Sequence, residues 1–300
     1  MPSYSFKRNV KFYIVRGSEK YSVSVNPDIS FSQTFDERPY TVKTLHSPTN
    51  FFEGATINKA SPANFNFSMP FGLNGEVDIS LDWLTSGTDL LDVYVDTGTE
   101  IFKIEKAVLE SGIFQLAKGQ LVTVSFTGTA SKLAKMEKPF VIPGVLQELG
   151  NLVGPLTDAL IPKFMKVELD GVELENITSA SIELRNDVQW IENNTLHSSL
   201  KVISASDTLY PEAFVVSKKV LSGNIQQYVT DENSARVQTW STNSTLDITL
   251  GNDAPVIQFS LPSVVFTNRI EPGDVFLQNY DYRLNSNSAS LTEIIKKEFI

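Results

Sequence analysis

Apolar and polar residues alternate with period two along much of the chain. Leu121–Phe126 reads LVTVSF, Leu246–Leu250 reads LDITL, and Ile257, Phe259 and Leu261 alternate with Gln258 and Ser260. Successive side chains of a strand point to opposite faces, so the pattern predicts half-buried β-strands. Val77, Ile79 and Leu81, set between Glu76, Asp78, Ser80 and Asp82, are read the same way. Asn74-Gly75 and Asp170-Gly171 suit tight hairpin turns, where the central residues take positive φ. Helical signals are few. They fall at Thr85–Val93 and at Asp231–Thr239, with Asp231 as N-cap. Leu146, Leu149, Leu152, Val153 and Leu156 recur at helical spacing. Ser290 and Glu293 form a capping box, in a stretch that reads equally as a strand. The predicted class is all-β.

The chain also repeats itself. Thr-Leu-His-Ser occurs at Thr44–Ser47 and again at Thr195–Ser198, 151 residues on. Three longer anchors recur in the same order, with Gly17 set against Gly171, Gly75 against Gly223, and Gly119 against Gly273. Their offsets of 154, 148 and 154 residues are what duplication followed by loop length changes would leave. The expected division is a first β domain over 1–140, a helical linker over 141–163 and a second β domain over 164–300. Each is expected to be an antiparallel β-sandwich or barrel with one short helix. Each also carries a long early insertion, roughly Phe35–Pro62 and Asn186–Pro211. Connections of that length are usually functional or extended hairpins.

Composition narrows the function classes. The net charge of −10 argues against a chain that clings to nucleic acid or to an anionic membrane. The absence of cysteine removes disulfide frameworks, thiolate metal sites and thiol nucleophiles. No apolar run is long enough to span a bilayer, and the N-terminus lacks a signal-type stretch, so no membrane partner and no cleaved leader are expected.

No residue set points to catalysis. His46 and His197, the two histidines, occupy one repeated position. Asp89, Asp92 and Asp96 cluster, as do Glu168, Asp170, Glu173 and Glu175, and both groups read as solvated edges and turns. Ser198 and Lys201 have a Ser-x-x-Lys spacing without its companion motifs. Lys132, Lys135 and Lys138 read as solvated surface. Trp83, Trp190 and Trp240 are candidate sugar platforms only where exposed. No catalytic, cofactor-binding or metal residues are assigned, no cofactor is expected, and the protein is read as not an enzyme.

Taken together, LDGVELENITSASIEL, the long insertion after it, VVSKKVLSGNIQQYV, and the strand pair ending in SFTGTASKL or YDYRL form one pattern. It resembles the tail tube proteins of long-tailed bacteriophages, in a duplicated form. The resemblance implies packed antiparallel sheets flanked by a helix and a virion component assembled in the host cytoplasm. It implies trimeric rings of pseudo-sixfold symmetry, stacked into a tube through which double-stranded DNA passes without specific binding. Partners would be further copies of the chain, a tape measure protein and the tail tip or terminator proteins. Phe35–Pro62 and Asn186–Pro211 would reach a neighbouring ring. The alternatives are a hub or tube-capping ring of the same fold, or a two-domain carbohydrate-binding module.

Overall fold

The computed structural model describes residues 10–40, 54–71, 76–149 apart from 118, 138 and 148, 161–191, 209–230, 244–251, 255–271, 275–285 and 295–297. Its first half runs β1 (Lys11–Arg16), β2 (Glu19–Val23), β3 (Ser30–Ser32), β4 (Phe35–Tyr40), β5 (Gly54–Ala60), β6 (Ala63–Pro70), α1 (Glu76–Ser86), β7 (Leu91–Asp96), β8 (Ile101–Leu116), β9 (Thr123–Met136) and β10 (Val145–Gln147). The second runs β11 (Phe164–Leu169), β12 (Val172–Glu173), β13 (Ile177–Ile191), β14 (Ala213–Tyr228), β15 (Ser244–Gly251), β16 (Pro255–Glu271), β17 (Leu277–Leu284) and β18 (Ile295–Lys297). The fold is all-β with one short helix among the described residues.

The two halves pair their strands in the same order. In the first, β2-β1-β7-β8-β9-β6-β3 lie side by side; in the second, β12-β11-β15-β16-β17-β14-β13 do. Both β1–β2 and β11–β12 close on a glycine turn, Gly17 at φ 61° and Gly171 at φ 75°. The bulge between β7 and β8, at Leu91/Val93, recurs between β15 and β16 at Ser244/Leu246. Phe12 of β1 lies 4.7 Å from Phe67 of β6, although three strands, β7, β8 and β9, separate them in the sheet order. The sheet therefore folds back on itself, and the apolar faces of β1, β7, β8, β9 and β6 enclose one core. That core runs on into the second half through Phe114 and Phe259, whose rings are 5.3 Å apart.

Several sequence expectations change. Glu76–Ser86 is a helix, not a strand. Its run satisfies period two at Val77, Ile79 and Leu81, but burial follows the helical spacing Val77, Ser80, Leu81, Leu84, while Ile79 is half-buried. The helix expected over Thr85–Val93 ends at Ser86, because Gly87 takes φ 63° and its N–H reaches back to the Trp83 carbonyl at 3.4 Å. Leu146 does not open a helix; it lies in β10, parallel to β2, with its side chain 55% exposed. The anchor Gly75–Gly223 is also replaced. Strand register sets Phe65 against Gly223, since β14 is one unbroken strand where the first half has β5 and β6. Leu152, Val153, Leu156, Asn74, Gly75, Ser290, Glu293 and Asp231–Thr239 lie outside the described residues. The LTEIIKKEFI stretch is a strand at Ile295–Lys297.

Candidate assembly interface

The halves are joined by strand pairing. β8 is 16 residues long. One of its edges is taken throughout by β9. The other is shared: β7 covers Ile101–Ala107, and β13 of the second half covers Ser111–Leu116. The joint places Ile182 opposite Phe114, Glu183 opposite Ile113 and Leu184 opposite Gly112. Phe114 and Ile182 are fully buried there. Gly112 is needed at the joint, because a Cβ would stand 2.8 Å from Leu84 and 3.0 Å from Phe126.

Side chains of the second half complete the first. Asn186 is buried, and its Nδ2 donates to the carbonyls of Leu84 at 2.6 Å and Leu109 at 3.1 Å. Lys219 Nζ donates to the carbonyls of Thr85 and, at 3.3 Å, Ser86. Helix α1 has no basic residue in its own last turn, so these two residues satisfy and neutralise its C-terminal carbonyls from across the joint. Trp190 Nε1 donates to Thr129 Oγ1 at 2.9 Å, the Leu209 carbonyl accepts from the Ala60 N–H at 2.8 Å, and Lys132 Nζ sits 4.9 Å over the Tyr210 ring. The bases of both long insertions are antiparallel hairpins, β4–β5 and the outer parts of β13 and β14.

Because the halves share one pairing scheme, each residue of the joint has a counterpart. Across the sheet, Ser111–Thr127–Asn66–Ser30 corresponds to Thr267–Asp281–Asn224–Ser181. The counterpart of the β8 edge that receives β13 is therefore the outer part of β16, beyond the reach of β15 at Val264. The counterpart of β13 at the joint is β3, which pairs β6 by one edge. Among the described residues no strand pairs the outer edge of β16 or the far edge of β3. Ile270, the counterpart of Phe114, is 49% exposed where Phe114 is 0%.

The candidates for chemistry are dispersed into structural roles. Asp89 pairs with Arg16. Asp92 accepts from the Lys106 N–H at 3.0 Å and faces Lys103 at 2.9 Å. Burial opposes the Lys103 charge, but the carboxylates of Asp92 and Glu105 together outweigh it and hold the ammonium above its usual range. Asp96 accepts from the Gly98 N–H in the β7–β8 turn, and Asp170 from the Thr245 N–H. Glu168 pairs with Lys166 across 2.8 Å, Glu173 lies opposite Glu168 in the β11–β12 hairpin, and Glu175 lends its carbonyl to Gln227 Nε2. Lys135 pairs with Glu100. Trp83 is buried, its Nε1 donating to the Asp89 carbonyl at 3.0 Å, so it presents no free ring face, while Trp190 is half-buried with its ring tilted against Phe214 at 5.5 Å. His46, His197, Ser198, Lys201, Lys138 and Trp240 lie outside the described residues. No group of three or more His, Cys, Asp or Glu suited to a metal ion occurs among the described residues. Asn186, Lys219 and Gly112 were not legible in the sequence, since nothing local ties them to α1 or β8.

A bacteriophage baseplate tube protein family model matches residues 2–296. The chain belongs to the bacteriophage baseplate tube protein family. It is thus a structural phage component of the virion. Comparison with curated protein sequences returns no match. The resemblance to tail tube proteins agrees with this family at the level of a phage tube component, and the baseplate becomes its setting.

Proposed function

We propose that this baseplate tube protein assembles head-to-tail into rings of three chains, each chain filling two of six equivalent positions, and that these rings form the baseplate portion of the phage tube around the path of the DNA. The observation that supports the reading is the β8–β13 joint. Two halves with one pairing order are joined through an edge whose counterpart in the second half carries no strand among the described residues. Unpaired edges are liabilities in a protein that works alone, and ring closure removes them. A heterologous contact repeated by a closing rotation makes a ring, and stacked rings make a tube.

The chain is read as a duplicated two-domain protein whose boundary lies in the Pro/Gly-broken segment after β10. The hairpin arms based at β4–β5 and at β13–β14 are assigned to ring stacking. The polar face beside the joint carries Glu183, Arg185, Asp187 and Lys218 around a shallow groove, two carboxylates against two cations. Such a wall neither collects phosphates nor repels them uniformly, which suits passage without binding. A tape measure protein and the tail tip or terminator proteins remain the expected partners of the assembly.

Electron microscopy of the purified protein, with mass from light scattering, tests the reading. Rings or short tubes with a mass in multiples of three chains support it. A stable monomer at all concentrations overturns it. Closed rings that never stack assign the protein to a single baseplate layer instead of a polymerising tube.

A further inference from the structure

We propose that the outer edge of β16 takes β3 of a second copy of the chain, antiparallel, with Phe31 opposite Ile270. This rests on the ring reading and names the strands and register that carry it. The joint inside the chain supplies the template. There β13 Ser181, Ile182, Glu183, Leu184 and Arg185 lie opposite β8 Gln115, Phe114, Ile113, Gly112 and Ser111. Replacing each by its counterpart gives Ser30 opposite Glu271, Phe31 opposite Ile270, Ser32 opposite Arg269, Gln33 opposite Asn268 and Thr34 opposite Thr267.

The counterparts are not copies of the template residues, so their chemistry tests the register independently. One apolar pair forms, Phe31 with Ile270, at the position of the buried pair Ile182 and Phe114. Phe31 already packs on the edge of the core, its ring 5.2 Å from Phe102, so the half-exposed Ile270 would extend an existing cluster. The remaining pairs are hydroxyl with carboxylate, hydroxyl with guanidinium and threonine with threonine, while Gln33 meets Asn268 through its backbone alone, because its amide is held within its own chain by the Ser61 and Ser131 carbonyls and the Leu133 N–H. None sets like charges opposite, which would oppose pairing. A slip of one residue would put Ile270 opposite a serine and turn every side chain to the wrong face. Arg269 and Glu271 pair with each other at 2.7 Å on the polar face. Strand side chains stand perpendicular to the sheet, so this ion pair does not itself cover the backbone edge.

The chain has no cysteine, so engineered pairs report without background. Residues directly opposite in an antiparallel pair lie about 4.5–5.5 Å apart at Cα, within disulfide reach. The double variant Ser32→Cys/Arg269→Cys, oxidised with copper–phenanthroline, is expected to give covalent dimers and trimers that reducing agent returns to monomer. The shifted pair Ser30→Cys/Arg269→Cys is expected to give little of either. Ile113→Cys/Glu183→Cys serves as the intrachain control for the template. Ile270→Lys is expected to abolish rings while leaving the unfolding midpoint unchanged, because Ile270 is exposed in the single chain. Rings of three chains that cross-link at neither pair, or better at the shifted pair, overturn the register and leave the ring reading standing. A monomer in every condition overturns both.

Discussion

At residue 223 a methyl group has no room. A Cβ there would stand 2.1 Å from the Ser181 carbonyl oxygen and 2.3 Å from the Tyr282 hydroxyl. Tyr282 lies directly opposite Gly223 and covers it. At the counterpart position of the first half the pair is reversed: Phe65 lies opposite Gly128, and a Cβ on Gly128 would stand 2.4 Å from the Phe65 ring. One ring fits at this crossing, and the two halves supply it from opposite strands. Gly223→Ala is therefore expected to cost about 1–3 kcal/mol of stability by overpacking, read from denaturant midpoints. The Tyr282 hydroxyl donates to the Ser181 carbonyl at 2.9 Å, and burial pushes its pKa up, as it does that of Tyr280. Both phenols stay protonated in the fold, whereas the unfolded chain releases these protons above about pH 10. Stability is full below that pH and falls as pH rises past it. Tyr282→Phe should lose about 1 kcal/mol near neutrality and show a shallower alkaline decline in thermal melts followed from pH 8 to 11. An equal decline in both proteins would assign the alkaline loss elsewhere.

At the scale of elements, α1 and β8 depend on residues far away in sequence. Asn186 serves two carbonyls of the first half from β13, so Asn186→Ala should leave buried acceptors unpaired at a cost of about 1–3 kcal/mol. Amide hydrogen exchange checks where that loss falls: faster exchange is expected at the C-terminal turn of α1 and at the β8–β13 joint, not at β11–β15. The elements themselves were unevenly legible. β15, β16 and β9 follow from their alternation, and the β11–β12 turn follows from Asp170-Gly171, which takes φ 51° and 75°. Glu76–Ser86 reads as a strand because its first six residues satisfy two periods at once. Only the burial of Ser80 and Leu84 on one side resolves it, and that depends on β8 lying beneath. Likewise, β14 and β5–β6 differ by an interruption at Ser61–Pro62, which misplaced the glycine anchor by strand register.

For the whole molecule, the proposed ring divides the work of assembly between the two hairpin arms and the two edges that no described strand pairs. Tyr40 and Gly54 are paired, so a two-residue turn can replace residues 41–53 without disturbing β4 or β5. The shortened chain is expected to keep its melting temperature and form single rings, seen by electron microscopy, but no stacked tubes; tubes of normal length would remove the arm from stacking. By itself the sequence determined the all-β class and the kinship with phage tube proteins, and it carries a repeated order of anchors, because period-two alternation, turn residues and repeat spacing are local or purely linear signals. Only the tertiary structure decided that 76–86 is helical, that Asn186 and Lys219 finish a helix in the other half, and that β8 shares one edge between β7 and β13. Those facts depend on which surfaces meet, and residues 64 to 134 positions apart meet only once the sheet has folded back on its core.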